Sequence, residues 1–216
     1  MLHYKTIDTK TLELLKEIEK IDIFKNLRLV GGTALALQLG HRVSVDLDFF
    51  GLLKADKISI LNALHSIGKV KTIQNTENIH IYTVNNLKID LVNYPYPWLS
   101  AMLYQDNLRL ADLPDIAAMK LAAITGRGSK KDFIDIYFLL KHYTLNQLLT
   151  FYNKKYDDGS IFLVLKSLVY FEDADADVMP NLFKKLAWET VKTSISKKLI
   201  NFINKKNNPN FNANSD

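Results

Sequence analysis

Residues 29–50 constrain the fold more than any other stretch. An apolar run, Leu27, Leu29 and Val30, ends at Gly31-Gly32, and Thr33 then opens a short helical stretch. Beyond Gly40 the pattern becomes strict alternation, with Ser44, Asp46 and Asp48 on one side and Val43, Val45, Leu47 and Phe49 on the other. Alternation of this kind predicts a strand over 43–50, and successive strand side chains point to opposite faces, so Asp46 and Asp48 project side by side. Two carboxylates so placed repel unless they share a cation or a proton. Hard oxygen ligands suit Mg²⁺, which is commonly held by one or two carboxylates together with substrate phosphates. The paired glycines let backbone approach phosphate closely, and a helix starting there offers free N–H groups to an anion. A lone Asp-x-Asp is most often a solvated strand face, and a lone Gly-Gly a tight turn. Their succession as strand, Gly-Gly, helix and acidic strand describes a place to hold a metal-bound nucleotide.

With 216 residues the chain can form one domain or two small ones with a substantial core. It has no cysteine, which removes disulfides and thiolate metal sites and gives no sign of secretion. Met1 to Lys20 is charged throughout, so no signal peptide is expected. No apolar run approaches the roughly 20 residues that span a bilayer, so a cytoplasmic protein without a membrane partner is expected. A net charge of +5, part of it from the Lys/Asn-rich C-terminal segment, supports a nucleic-acid partner only weakly.

Along the chain, 5–25 is an amphipathic helix with Leu12, Leu15 and Ile18 at helical spacing. The first strand falls at 27–30, a helix at 32–39 and a further helix at 55–67. Three strand-like runs follow at 69–74, 78–84 and 87–93, and Asn85-Asn86 is a hairpin-turn signal. In the last run Lys88, Asp90 and Val92 share one face. If that strand lies beside 43–50, Asp90 joins Asp46 and Asp48 as a third carboxylate, and the three could hold two metal ions about 4 Å apart. Tyr94-Pro95-Tyr96-Pro97-Trp98 breaks the pattern and marks the end of the sheet domain, after which the chain reads as helical.

A helix at 114–125 is apolar almost all round, with Lys120 alone in its middle, and a buried ammonium needs a negative partner or a route to a cleft. Ser129 is placed to cap the next helix, 130–142, in which Asp132 and Asp135 share a face and Asp135 can pair with Lys120 or Arg127. Helices are expected at 145–155, 160–171 and 181–204. Glu172–Asp177 is a solvated acidic loop without EF-hand spacing. The division expected is a sheet domain over 1–98, a helical domain over 99–204 and a disordered tail over 205–216.

With Gly31-Gly32-Thr33, Arg42-x-Ser44-x-Asp46-Leu47-Asp48-Phe49, Asp115-x₄-Lys120-Leu121-x-Ala123 and Lys131-Asp132-Phe133-x-Asp135 in order, the chain resembles the AbiEii/AbiGii-type nucleotidyltransferases, toxins of bacterial type IV toxin–antitoxin and abortive-infection systems. The resemblance runs from about 27 to 190. It implies an α+β fold with a polymerase-beta-like nucleotidyltransferase sheet domain followed by a helical domain, and a site in the cleft between them. It implies Mg²⁺-dependent transfer of a nucleotide from an NTP, with RNA, in some relatives tRNA, as acceptor, and a cognate antitoxin as partner. Carried over, Gly31, Gly32 and Thr33, with Arg42 and Ser44, would lie at the triphosphate. Asp46, Asp48 and Asp90 would bind metal, Lys120 would bind phosphate, and Asp135 (with Asp132) would stand on the opposite wall. Many of the wider superfamily have Gly-Ser where this chain has Gly-Gly, which removes a hydroxyl that Thr33 could replace. Two other readings use the same fold: nucleotidylation of an aminoglycoside-type small molecule, for which Glu172–Asp177 could supply an acidic pocket, and a catalytically silent binding module.

Overall fold

The computed structural model describes residues 1–207, and these divide into two compact units, Met1–Ile116 with Asn181–Phe183, and Ala117–Pro180 with the described residues from Lys184 onward. The first unit is built on a seven-stranded mixed sheet of order β3-β4-β5-β2-β1-β7-β6. The strands are β1 (Leu27–Leu29), β2 (Leu47–Gly51), β3 (Val70–Asn75), β4 (Ile79–Val84), β5 (Leu87–Asn93), β6 (Leu103–Gln105) and β7 (Leu108–Leu110). Helices α1 (Thr9–Glu19), α2 (Gly31–Leu39) and α3 (Lys57–His65) accompany it. Asp8 caps α1 by accepting from the Thr11 N–H, and Asp56 caps α3 through Ser59. One face of the sheet is core: Leu27, Leu29, Leu47, Phe49, Tyr82, Val84, Ile89 and Leu91 are fully buried. The other face carries Arg28, Asp48, Phe50, Asp90 and Val92 and is only half-buried.

Register decides what that second face can do. β2 runs antiparallel to β1 and parallel to β5, pairing Asp48 with Asp90 and Phe50 with Val92, while Arg28 pairs with Phe50. The Asn85-Asn86 turn joins β4 to β5 with φ of 52° and 67°, the left-handed pair that a two-residue hairpin of this hand requires. Asp106-Asn107 repeats the device between β6 and β7, at φ of 53° and 63°. That second hairpin corrects the expectation that the chain is helical beyond residue 98; strands of three residues are too short for alternation to register.

β2 starts at Leu47, four residues later than the alternation predicts. Residues 43–46 are extended but outside the sheet: Val43 N–H donates to the Asn181 carbonyl and Ser44 N–H to that of Thr6. Val45 is accordingly exposed while Leu47 and Phe49 are buried. Asn181–Phe183, read from the sequence as helix, instead pairs here through the Arg42–Leu182 bridge.

The second unit is helical: most of α4 (Leu113–Gly126), then α5 (Lys130–Leu139), α6 (Leu145–Lys155), α7 (Ile161–Ser167), α8 (Glu172–Asp175) and α9 (Trp188–Asn207). Thr144 and Gln147 form a reciprocal cap at the start of α6. Phe133 contacts Phe171 and Trp188, and Ile136, Leu148, Tyr152, Val164, Val191 and Ile195 fill the interior. The tail expected at 205–216 begins inside α9, and 208–216 lie outside the described residues. No helix among the described residues is long and apolar enough to cross a membrane.

Candidate active site

The Gly31-Gly32 bend lies where β1 gives way to α2. Its N-cap, Val30, has no side chain able to accept the first amides of the helix. Gly31 has φ +67°, and a Cβ there would collide with Asp48 Oδ2. At Gly32 a Cβ would collide with Arg42 Nη2 and lie 3.1 Å from Ser44 Oγ. The side chain that a Gly-Ser pair would bring in at 32 thus has no room, because Arg42 fills that space. Arg42 is itself 4% exposed and donates Nη1–H to the Val43 carbonyl at 3.0 Å. The bend therefore carries a guanidinium on one side and a carboxylate on the other, at the positive end of a helix.

Thr33 differs from expectation. Its side chain is fully buried, its hydroxyl donates to the backbone carbonyl of Asp46, and it shares a 3.0 Å hydrogen bond with Ser44 Oγ. Those partners occupy the hydroxyl expected to replace the missing serine at the phosphates. Thr33 and Ser44 instead clamp the extended segment that leads into β2 and so fix where Asp46 stands.

Asp48 and Asp90 stand opposite each other on neighbouring parallel strands and so on the same face. Asp90 Oδ2 accepts from Lys88 Nζ at 2.7 Å, while its Oδ1 is buried with no hydrogen-bond partner. Lys88 is a neighbour that period-two spacing already implies. The three-carboxylate cluster expected from Asp46, Asp48 and Asp90 is not closed: among the described residues no three His, Cys, Asp or Glu side chains converge to hold a metal ion. Asp46 precedes the strand on backbone held from Thr33, and Asp90 turns one oxygen to Lys88. The donors nonetheless suit a hard divalent cation, because Asp90 Oδ1 is a buried acceptor without a donor, and desolvating it unpaired is costly.

In the second unit Lys120 is 4% exposed, and its Nζ lies 2.8 Å from Asp132 Oδ1 and 2.7 Å from Asp135 Oδ2. The expected pairing of Lys120 with Asp135 is present. Lys120 and Asp135, placed by resemblance on phosphate and on an opposite wall, are in direct contact. Burial pushes the Asp132 carboxyl up, but Lys120 and Arg127 outweigh it and bring it down to about 2. Ser129 sits at the N-cap position of α5, yet its Oγ accepts from no helix N–H, and its hydroxyl donates to Asp132 Oδ2 at 2.6 Å. The acidic stretch is less free than a solvated loop. Asp175 accepts from Trp188 Nε1 and Lys192, and Asp177 from the Lys130 N–H, which removes two acids from any pocket for a cationic acceptor.

The sequence model of the nucleotidyl transferase AbiEii toxin of type IV toxin–antitoxin systems matches residues 13–196. This chain belongs to the AbiEii nucleotidyltransferase toxin family. It is also 34% identical over 197 residues to the uncharacterized protein aq_aa25 of Aquifex aeolicus, covering 88% of this chain and 95% of that one. The AbiEii chain has the fold of MenT4, a nucleotidyltransferase toxin from Mycobacterium tuberculosis H37Rv, with a TM-score of 0.57 at 17% identity, over 86% of this chain and 79% of that one. It likewise matches JHP933 from Helicobacter pylori, with a TM-score of 0.53 at 19% identity, over 94% and 98% of the two chains. As an AbiEii member the chain is a nucleotidyltransferase, and its seven-stranded α+β architecture is that of the enzyme fold.

Proposed function

We propose that this AbiEii-family enzyme transfers a nucleoside monophosphate from an NTP to an RNA acceptor, tRNA included, with Mg²⁺ as the ion, and that this modification is the toxic act a cognate antitoxin opposes. The reading is carried by one observation: Asp48 and Asp90 face each other across β2 and β5 with Asp48 against the Gly31 bend. The uncapped amides of α2 and the Arg42 guanidinium would bind the triphosphate and spread the negative charge of the leaving pyrophosphate. Asp46, Asp48 and Asp90 would hold the divalent cation, which supplies charge neutralisation at the phosphoryl oxygens when bound. Asp90 Oδ1 would receive the proton of the attacking hydroxyl, a role supported by its being a buried acceptor without a hydrogen-bond donor. Lys120, Asp132 and Asp135 enter as one buried unit that fixes α4 against α5, a positioning role. Phosphoryl transfer needs little covalent chemistry from the protein, so placement and electrostatics carry the rate.

The test is incubation with each labelled NTP, total cellular RNA and Mg²⁺. Asp46→Ala and Asp48→Asn are expected to remove label transfer and growth arrest on expression while melting as the parent does. Label transfer at the parent rate by either variant refutes the assignment. Label entering a small-molecule fraction and not RNA would favour the aminoglycoside-type acceptor instead.

A further inference from the structure

The segment that ends β5 does more than close the sheet. In Tyr94-Pro95-Tyr96-Pro97-Trp98 aromatic residues alternate with prolines, whose fixed φ lowers the entropy lost on ordering the chain. The rings gather around Tyr94: Tyr96 lies 5.3 Å from it, Trp98 5.5 Å and Phe50 of β2 5.3 Å, all tilted. Arg28 of β1 lies over the Trp98 ring at 4.2 Å and donates Nη1–H to the Ser100 carbonyl, while its buried Nε has no hydrogen-bond partner. The far end is pinned by the fully buried Asp115, whose two carboxylate oxygens accept from the N–H groups of Leu99 and Ser100 at 3.0 and 3.1 Å. Tyr94, Tyr96 and Trp98 are each only partly buried. A rigid strip of partly open aromatic surface beside a cation is the construction that binds single-stranded nucleic acid.

Register places this strip relative to the carboxylates. Asp48 and Asp90 form one row across the open face, next to Val30, whose N–H donates to the Asp48 carbonyl. Arg28, Phe50 and Val92 form the next row, two residues along each strand and about 7 Å further from the Gly31 bend. In an in-line displacement the attacking oxygen approaches from the side opposite the leaving group. With the pyrophosphate at Gly31-Gly32, that side is the one towards the aromatic row. We infer that Tyr94, Tyr96 and Trp98 form a stacking platform for a base of the acceptor strand, next to the nucleotide that carries the attacking hydroxyl. This rests on the RNA-acceptor reading, and it adds the surface that receives the acceptor.

The chain has two tryptophans, so a Trp188→Phe background, which keeps a ring against Phe133 and Phe171, leaves Trp98 as the only indole. In that protein a short single-stranded oligoribonucleotide, added without NTP, is expected to quench Trp98 fluorescence, and Tyr96→Ala is expected to weaken that binding. In steady-state transfer assays Tyr96→Ala and Trp98→Leu are expected to raise KM for the RNA by roughly 10- to 100-fold and leave KM for NTP in place, with Trp98→Phe recovering most of the loss. Quenching by NTP alone, together with a raised KM for NTP, overturns the inference by assigning the strip to the donor base. No quenching by either ligand overturns it as well. If the oligonucleotide quenches Trp98 yet no label ever reaches RNA, the platform stands and the proposed reaction fails.

Discussion

At the scale of single residues the site is legible where chemistry and periodicity coincide. Asp48 and Asp90 are acids inside apolar strands, and period two alone puts them on open faces that the β2–β5 pairing then joins. The bend's glycines were readable as a close approach, but their neighbours, Asp48 at one and Arg42 at the other, were not, since these contacts are made in space. The distinction yields a prediction. Gly31→Ala must hold a left-handed φ and displace Asp48, so it is expected to cost about 1–2 kcal/mol in urea unfolding and to abolish transfer. Gly32→Ala keeps an ordinary φ and meets the end of the Arg42 side chain and, at 3.1 Å, Ser44 Oγ, so its stability cost is expected to be smaller, under about 1 kcal/mol, while KM for NTP rises. Equal unfolding costs for the two variants would contradict this account of the bend. The resemblance puts the Thr33 hydroxyl at the phosphates, whereas it bonds Ser44 and the Asp46 carbonyl, because a hydroxyl's partner depends on which backbone passes over it.

At the scale of elements, legibility followed length and local turn chemistry. Helix α6 falls at its predicted bounds, Leu145–Lys155, and Thr144 and Gln147 fix its start by a reciprocal cap. Asn85-Asn86 announced the β4–β5 hairpin, and Asp106-Asn107 carries the same chemistry between strands too short to show a period. Helix α9 starts at Trp188, later than the predicted 181, because Asn181–Phe183 is apolar enough to continue a helix yet is held by backbone hydrogen bonds from Val43 and to His41. Positive φ at Asn86 predicts that Asn86→Ala destabilises the first unit by about 1 kcal/mol while Asn86→Gly is neutral or mildly stabilising, as read by denaturant midpoint. An alanine variant as stable as the parent would show that this turn does not need the left-handed conformation.

At the scale of the whole molecule, stability against acid depends on a buried charge set of which the sequence shows one pair, the lone lysine of an apolar helix with Asp135, and not that Asp132 shares the same ammonium. Lys120 holds Asp132 and Asp135 at 2.8 and 2.7 Å, with Arg127 on Asp132 from the surface. The Asp132 carboxyl is brought from an ordinary 3.8 to about 2 in the folded chain. A lowered folded value means that the contribution, about 2 kcal/mol, is complete above pH 4 and is lost as pH falls towards 2. Over the same range the protonation of other carboxylates raises a net charge already at +5, so the two effects reinforce each other in acid. Lys120→Met leaves two buried carboxylates without their shared cation, which is expected to cost about 3–5 kcal/mol at pH 7. Their protonation then becomes favourable in the fold, so the variant should gain stability from pH 7 down to 5, a range over which the Asp132 contribution to the parent is constant. Converting all three, Lys120→Met with Asp132→Asn and Asp135→Asn, is expected to recover most of the loss, because no charge is then buried alone. Urea midpoints measured from pH 3 to pH 8 decide the matter: a Lys120→Met profile parallel to that of the parent would mean that the lysine does not hold these carboxylates in solution.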